Sequence, residues 1–393
     1  MPEHHQHVEV FRVPCRGPGD LAAVHALIVA GRLVPADVVA VMGKTEGNGC
    51  VNDHTRDFAA FAWCHLLAPH LGCTPAEVAL RVALVMSGGT EGVLSPHFTV
   101  FTRRRVPGRA ARDEKRLVVG TAHTRDFAPE ELGRAAQIDA TAHAVREAMA
   151  DAGIADPADV HFVQIKCPLL TSTQVADALH RGAPPVTRDT YESMAYSRGA
   201  SALGVAVALG EVPRSAASDA AVLVDTTLFS ARASASAGVE LAGNVVIVLG
   251  EAAGATSPCR IAHTLMHDAV DSVALRTLLR DAFGLDADHD AARIAERLVN
   301  LLAKAEADPA GQVRGQRHTM LNDSDINATR HARAVVGAVL ASVVGQTALY
   351  VSGGAEHQGP PGGGPVAAIV RAVQAVPDQG AIDAGRGVSL SRA

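Results

Sequence analysis

The chain has 393 residues, of which 48% are hydrophobic and 19% charged, and its formal net charge is −6. That length accommodates two to four domains with ample core, and an acidic balance gives no basic footprint for nucleic acid. Aromatic residues make up only 3%, so the core must be built mainly from Ala, Val and Leu.

The six cysteines, Cys15, Cys50, Cys64, Cys73, Cys167 and Cys259, form no Cys-x-x-Cys pair. In a chain of this length that pattern fits reduced thiols in a cytoplasm. The start, Met1 to His7, is polar and His-rich and has no apolar stretch of signal-peptide length. The longest apolar run, Ala334 to Val344, is too short to span a bilayer. Neither a membrane nor a nucleic-acid partner is expected.

In chain order, Val8 to Val13 alternates as a strand, and Asp20 is placed to cap a helix over Leu21 to Ala30. Val38 to Met42 reads as a buried strand that delivers Lys44. Arg56 precedes an alanine-rich helix, Asp57 to Leu67, and Ala83 to Met86 runs into Ser87. Arg103 to Arg109 reads as a basic, turn-rich connector. A second passage follows: strand from Leu117, helix Ala135 to Ala152, strand Val160 to Ile165 delivering Lys166, then Arg198 before a helix, Gly199 to Leu209. Ala221 to Val224 reads as a strand ahead of Ser236, and Val245 to Leu249 as the closing strand, with Gly250 to Pro258 as the next connector. The third passage has a strand from Arg260 and a helix from Ser272 to Phe283. It then reaches Lys304, Arg330 before a helix over His331 to Val344, and Ser352.

One pattern recurs through these passages. It is spelled Ser87-Gly88-Gly89-Thr90-Glu91, Ser236-Ala237-Gly238-Val239-Glu240 and Ser352-Gly353-Gly354-Ala355-Glu356. Each turn is preceded by one lysine and one arginine: Lys44 and Arg56, Lys166 and Arg198, Lys304 and Arg330. A period above about 100 residues is too long for a solenoid. The predicted architecture is three similar α/β domains around a pseudo-threefold axis, at residues 1–105, 112–250 and 256–393, with the active site at the centre.

Small residues after a strand let backbone amides approach a bound oxygen closely, and each serine adds a hydroxyl there. Serine needs a base, and lysine can serve if burial or neighbouring cations lower its pKa. Mutual repulsion among three lysines and three arginines would do so. Arginine forks suit a planar ligand rich in carbonyls, and the turn amides suit an oxyanion hole. Gly43-Lys44-Thr45 lacks the upstream glycine of a phosphate loop, since residue 38 is Val. The segment His357 to Pro365 is neither helix nor strand in its composition. It reads either as a loop wrapping a hard cation through backbone oxygens or as a surface loop.

Gly43 to Gly49, Met86 to Gly92, Lys166 to Thr171 and Ser352 to Gly359 closely resemble the cyanuric acid hydrolase/barbiturase family of ring-opening cyclic amidohydrolases. The resemblance spans essentially the whole chain. It implies three similar domains, a homotetramer, and three Ser–Lys pairs of which the second is catalytic. By position, Ser236 is then the nucleophile and Lys166 its general base. Arg56, Arg198 and Arg330 would grip substrate oxygens together with Ser87-Gly88, Ser236-Ala237 and Ser352-Gly353, with Lys44 and Lys304 in support. Ala237 departs from the glycine of the other turns, and Ser234 lies two residues before Ser236.

The resemblance further implies a structural divalent cation, Mg or Ca, and no organic cofactor. Its ligands would be Glu306, with Glu296 as the alternative, and backbone oxygens of Ala355, Gln358, Gly359, Pro360 and Gly363. Ring opening of cyanuric acid would give carboxybiuret, then biuret and carbon dioxide. Barbiturate is the alternative substrate, and a non-catalytic protein binding a small planar cyclic imide is a third reading. Ile326, four residues before Arg330, would share its helix face and adjoin the ring position at which the two substrates differ. An apolar neighbour there cannot hydrogen-bond the N–H of cyanuric acid, which is a mild hint toward barbiturate.

Overall fold

The computed structural model describes residues 4–107 and 114–373. Its first unit runs β1 (His4–Pro14), α1 (Ala22–Val29), β2 (Val38–Thr45), α2 (His54–Leu71), α3 (Pro75–Arg81), β3 (Ala83–Gly88) and β4 (His97–Pro107). The second runs β5 (Lys115–His123), α4 (Ala135–Ala152), β6 (Val160–Pro168), α5 (Ser172–His180), α6 (Thr190–Ala208), β7 (Ala233–Gly238) and β8 (Val245–Ala253). The third runs β9 (Cys259–Met266), α7 (Ser272–Phe283), α8 (Ala291–Arg297), β10 (Leu298–Ala305), a small hairpin of β11 (Gln312–Val313) and β12 (Gln316–Arg317), α9 (Ala328–Val344), β13 (Tyr350–Gly353) and β14 (Gly364–Arg371).

Each unit builds one four-stranded sheet with the same topology. The orders are β1-β4-β2-β3, β5-β8-β6-β7 and β9-β14-β10-β13. In every sheet the second and third strands are parallel and the fourth strand pairs antiparallel with the first and second. A parallel pair requires a crossover, and the helices between those strands supply it. Even a register irregularity near the start of the second strand repeats, between Val38 and Ala40, Val160 and Phe162, and Leu298 and Asn300. Three structurally similar α/β domains therefore surround a pseudo-threefold axis.

Burial on both faces explains why the second strands read as nearly continuous apolar runs. The inner faces of all three sheets share one core, including Val10, Met42, Phe101, Leu117, Val119, Phe162, Ile261, Leu302 and Tyr350. The outer faces pack against each unit's own helices, around Trp63, Val145 and Leu340 respectively. Helix ends follow local chemistry. Asp53 caps α2 by accepting from Thr55 N–H, Asn327 caps α9 through Thr329 N–H, and Gly72, Gly153, Gly284 and Gly345 close helices in the left-handed conformation.

Several expectations change. Arg103 to Pro107 continues β4 instead of forming a connector, and β8 carries the chain on to Ala253, so positions 105 and 250 both fall inside strands. Residues 1–3, 108–113 and 374–393, which hold Arg109 and the outer limits of the expected units, lie outside the described residues. Ala221 to Val224 is a turn, in which Leu223 takes a φ of +63° and donates its N–H to His357 Nε2 at 2.8 Å. Asp20 does not cap α1 from the N-cap position, which is Leu21, although it does accept from Ala22 N–H. No helix among the described residues is long and apolar enough to cross a membrane.

Leu302 is fully buried where the three sheets meet. Leu302→Ala should cost about 2–5 kcal/mol and lower the urea midpoint of all three units together, read as one transition in far-ultraviolet dichroism.

Candidate active site

The parallel strand pairs set the site. In each unit the register places the lysine of the second strand directly beside the serine of the third: Lys44 by Ser87, Lys166 by Ser236, and Lys304 by Ser352. Their side chains point to the axis, where all six are buried. Ser236 Oγ and Ser352 Oγ share a hydrogen bond of 2.9 Å, and Ser87 Oγ donates to Ser352 Oγ at 3.5 Å. Lys44 Nζ lies 3.3 Å from Ser87 Oγ, and Lys304 Nζ 3.3 Å from Ser352 Oγ. Lys166 is different. Its Nζ donates to Met86 O at 2.7 Å and Ala237 O at 3.5 Å, and lies 2.9 Å from Glu240 Oε1.

All three amines are easier to deprotonate than an ordinary lysine. Burial is the leading cause for each, and neighbouring guanidinium groups add to it. Lys304 falls to about 7, with Arg198 the main cation beside it. Mutual repulsion among the lysines and arginines, expected to lower these pKa values, contributes but is secondary to desolvation.

The arginines reach the pocket from helices. Arg56 lies in the first turn of α2 and Arg198 in the middle of α6, so neither stands ahead of its helix as expected. Arg56 donates to Ala237 O and Cys50 O, each at 2.8 Å. Arg198 forks onto Glu356 at 2.8 and 2.6 Å. The third arginine of the pocket is Arg333, not Arg330. Arg333 is 3% exposed and forks onto Glu91 at 2.7 and 2.5 Å. Arg330 sits in the first turn of α9 with its side chain 40% exposed, and reaches Glu91 at 3.4 Å. The helix stripe formed by Arg333, Val336, Gly337 and Leu340 was the available signal, since its spacing faces inward.

Ile326 does not share a helix face with either arginine, because α9 begins at Ala328. It is 42% exposed in the preceding loop, with its N–H bonded to Asp323. The apolar wall of the pocket is instead Met194 of α6. Ser234, two residues earlier on the same face of β7, is fully buried and donates to Gln164 Oε1 at 2.8 Å instead of lining the pocket. The Ala237 exception also has a cause. A Cβ on Gly88 would stand 1.7 Å from Asp53 Oδ2, and one on Gly353 2.4 Å from Thr329 Cγ2, while the corresponding space in the second unit admits the Ala237 methyl.

Arg56, Ser87, Gly88, Lys166, Ser236 and Ser352 are among the residues enclosing the pocket, which leaves free space of about 20 Å³. That is room for about one water.

The loop following β13 runs beside this pocket. Gln358 is fully buried and ties it to β7, accepting from Ala235 N–H at 2.6 Å. Ala355 O accepts from Gln358 N–H, Pro360 O from Gly363 N–H, and Glu306 Oε2 from Gly362 N–H at 3.1 Å. Gly359 takes a φ of +105°. Burial, then the nearby Glu356, push the Glu306 carboxyl up to about 7. A carboxylate held at such cost, beside a glycine-rich run of carbonyls, fits a hard cation. Among the described residues no cluster of three or more His, Cys, Asp or Glu side chains is placed to hold a metal ion, at this loop or elsewhere. Glu296, the alternative ligand, is exposed on α8 and borders a separate cavity with Arg297 and Arg371.

Residues 9–371 match the family described as amidohydrolase ring-opening protein. The chain belongs to that family. The ring-opening relatives cover nearly all of it. It is 59% identical over 366 residues, 93% of this chain and 99% of the other, to a cyanuric acid amidohydrolase of Pseudomonas sp. (strain ADP). To one from Bradyrhizobium diazoefficiens it is 60% identical over 366 residues, 93% and 98% of the two chains. A solved cyanuric acid hydrolase superposes with a TM-score of 0.90 at 59% identity, covering 94% of this chain and all of that one.

Sequence reasoning noticed the glutamate of each turn but assigned it no partner, and it missed Arg333 and Met194. The Arg333–Glu91 fork is nearly buried, so Arg333→Ala should cost about 3 kcal/mol by stranding Glu91. Arg330→Ala, at a half-exposed contact, should cost under about 1 kcal/mol. Urea unfolding of the two variants checks the difference.

Proposed function

We propose that this protein opens the ring of cyanuric acid by hydrolysis, with Ser236 as nucleophile and Lys166 as general base. The observation that carries this reading is the threefold repeat of Lys beside Ser, converging with three arginines on one small pocket. Cyanuric acid has the same symmetry, with three carbonyls alternating with three N–H groups. The names of the relatives at 59–60% identity point the same way.

On this reading Arg56, Arg198 and Arg333 donate to the carbonyl oxygens, which are acceptors that a guanidinium fork suits. Lys166, its pKa lowered by burial, takes the Ser236 proton as Oγ attacks a ring carbonyl. Amides of the serine turns face the oxyanion that forms. The proton then passes to the departing ring nitrogen, the C–N bond breaks, and water hydrolyses the acyl-enzyme to carboxybiuret. Loss of carbon dioxide yields biuret. Ser87 and Ser352, with Lys44 and Lys304, hold the other two ring edges. The hint toward barbiturate rested on Ile326, whose exposed position outside the pocket removes it.

The reading extends to a homotetramer in the cytoplasm, an inference carried by the family resemblance. It also includes a structural Mg or Ca ion held by Glu306 and by carbonyl oxygens of Ala355, Gln358, Gly359, Pro360 and Gly363. Such an ion would fix the third turn and its Glu356. Dialysis against a chelator should then lower the melting temperature, and adding Mg or Ca should restore it in the wild type but much less in Glu306→Gln.

Ultraviolet loss of cyanuric acid and of barbiturate, followed in parallel, tests the activity itself. Cyanuric acid should be consumed, and Ser236→Ala should lose about a thousandfold or more. Near-normal turnover by Ser236→Ala would remove the assigned nucleophile, and consumption of barbiturate alone would move the substrate.

A further inference from the structure

The three turns share a glutamate, yet the three glutamates hold different partners. Glu91 of the first unit grips Arg333 of the third, and Glu356 of the third grips Arg198 of the second. Rotation about the axis assigns Glu240 of the second unit to Arg56 of the first. Glu240 instead pairs with Lys166 of its own unit, at 2.9 Å, with its side chain 15% exposed. Arg56 is left to main-chain oxygens, with Asp53 at 3.9 Å.

The backbone accounts for this exchange. Gly89 and Gly354 have φ of +104° and +75°, and a guanidinium lies against each: a Cβ would stand 2.5 Å from Arg333 Nε and 2.7 Å from Arg198. Gly238 lies outside that left-handed region. The open face of Gly238 is filled by the carboxylate of Glu240, which would lie 2.1 Å from a Cβ there. In two units the glycine admits an arginine; in the second it admits the turn's own acid.

We infer that Glu240 is the positioning residue that sets Lys166 apart from Lys44 and Lys304. It fixes the amine at the wall between the central pocket and a lateral groove of about 610 Å³. The inference rests on Lys166 being the base in ring opening. When Ser236 attacks, its O–H bond breaks, an N–H bond forms at Lys166 Nζ, and Oγ bonds to the carbonyl carbon. Glu240 stays ionised and stabilises the new ammonium until its proton leaves with the ring nitrogen. A buried carboxylate serves a general base in this way in the serine triads.

Lys166 faces Glu240 and Arg56 directly, with Arg198 and Arg333 across the pocket. On the groove side stand Asp57, His65, His123 and Asp126. Of these, Glu240 and Arg56 act most strongly on the amine, and they oppose each other. Removing the Glu240 charge lowers the Lys166 pKa. The acid limb of kcat/KM, which reports loss of neutral Lys166, must then move to lower pH.

The test compares Glu240→Gln with Glu91→Gln and Glu356→Gln in steady-state cyanuric acid kinetics over a pH series, with urea midpoints as the folding control. Glu240→Gln should lower kcat by about tenfold or more with KM within about threefold, and should shift the acid limb. Glu240→Asp should recover part of kcat and the limb. Glu91→Gln and Glu356→Gln, which loosen arginines, should chiefly raise KM. If Glu240→Gln changes only KM and leaves the acid limb in place, the inference is overturned. Lys166→Ala separates the two readings. Retained turnover there defeats the base assignment and this inference with it, while an inactive Lys166→Ala beside an unaltered Glu240→Gln defeats only Glu240. Should Glu240→Gln not fold, Glu240→Asp carries the same test through kcat and the limb.

Discussion

Everything in the pocket depends on one register. Two parallel strands bring a lysine and a serine to adjacent positions on the same inward face, and the chain does this three times. A slip of one residue in any pair would turn its lysine outward into a helix-packed core. The helices that cross between those strands hold that register, so they are needed for the chemistry as well as for the core. The same constraint explains why the lysines are buried: a residue at that position points at the axis, where the other two sheets exclude water.

Burial of six cationic side chains would be unfavourable if all stayed charged and unpaired. The structure meets the cost in two ways. Arg198 and Arg333, which cannot readily deprotonate, take glutamate partners from neighbouring units. Lys44 and Lys304, which can, have no fork of that kind and move toward the neutral form. Those inter-unit ion pairs also lock the units together, since each needs residues from two of them. An arginine-for-lysine exchange at any of these positions would therefore upset the balance.

The triplication, its three lysines, three serines and two of the three arginines, together with helices over 135–152 and 272–283, could be read from the chain. They were legible because each is a local signal: a repeated turn, a strand end, an apolar period. Arg333 was not, because Arg330 satisfies the same order of residues and only the inward stripe of α9 separates them. Ala221 to Val224 looked like a strand because its side chains suit one, but His357, distant in sequence, holds Leu223 in a turn. The glutamates of the turns were visible as letters, whereas the partners of Glu91 and Glu356 lie on other units and are set by the closed arrangement of three sheets.

Symmetry in such a pocket serves recognition, and its breaking serves reaction. On the proposed reading, a ring with alternating carbonyls and N–H groups asks for donors and acceptors in turn. Guanidinium groups only donate, whereas hydroxyls and neutral amines do both, so lysines moved toward neutrality suit the N–H edges that arginines cannot. Three equivalent corners would bind such a ring well and give no reason for one carbonyl to react before another. A single corner must hold its amine differently, and the second unit is the one whose turn glutamate faces a lysine. The alanine at position 237 belongs to the same departure, since the outer two turns need glycine where Asp53 and Thr329 press close and the second does not. In that turn Gly238 is outside the left-handed region that Gly89 and Gly354 occupy, and the Glu240 carboxylate folds against it to reach Lys166.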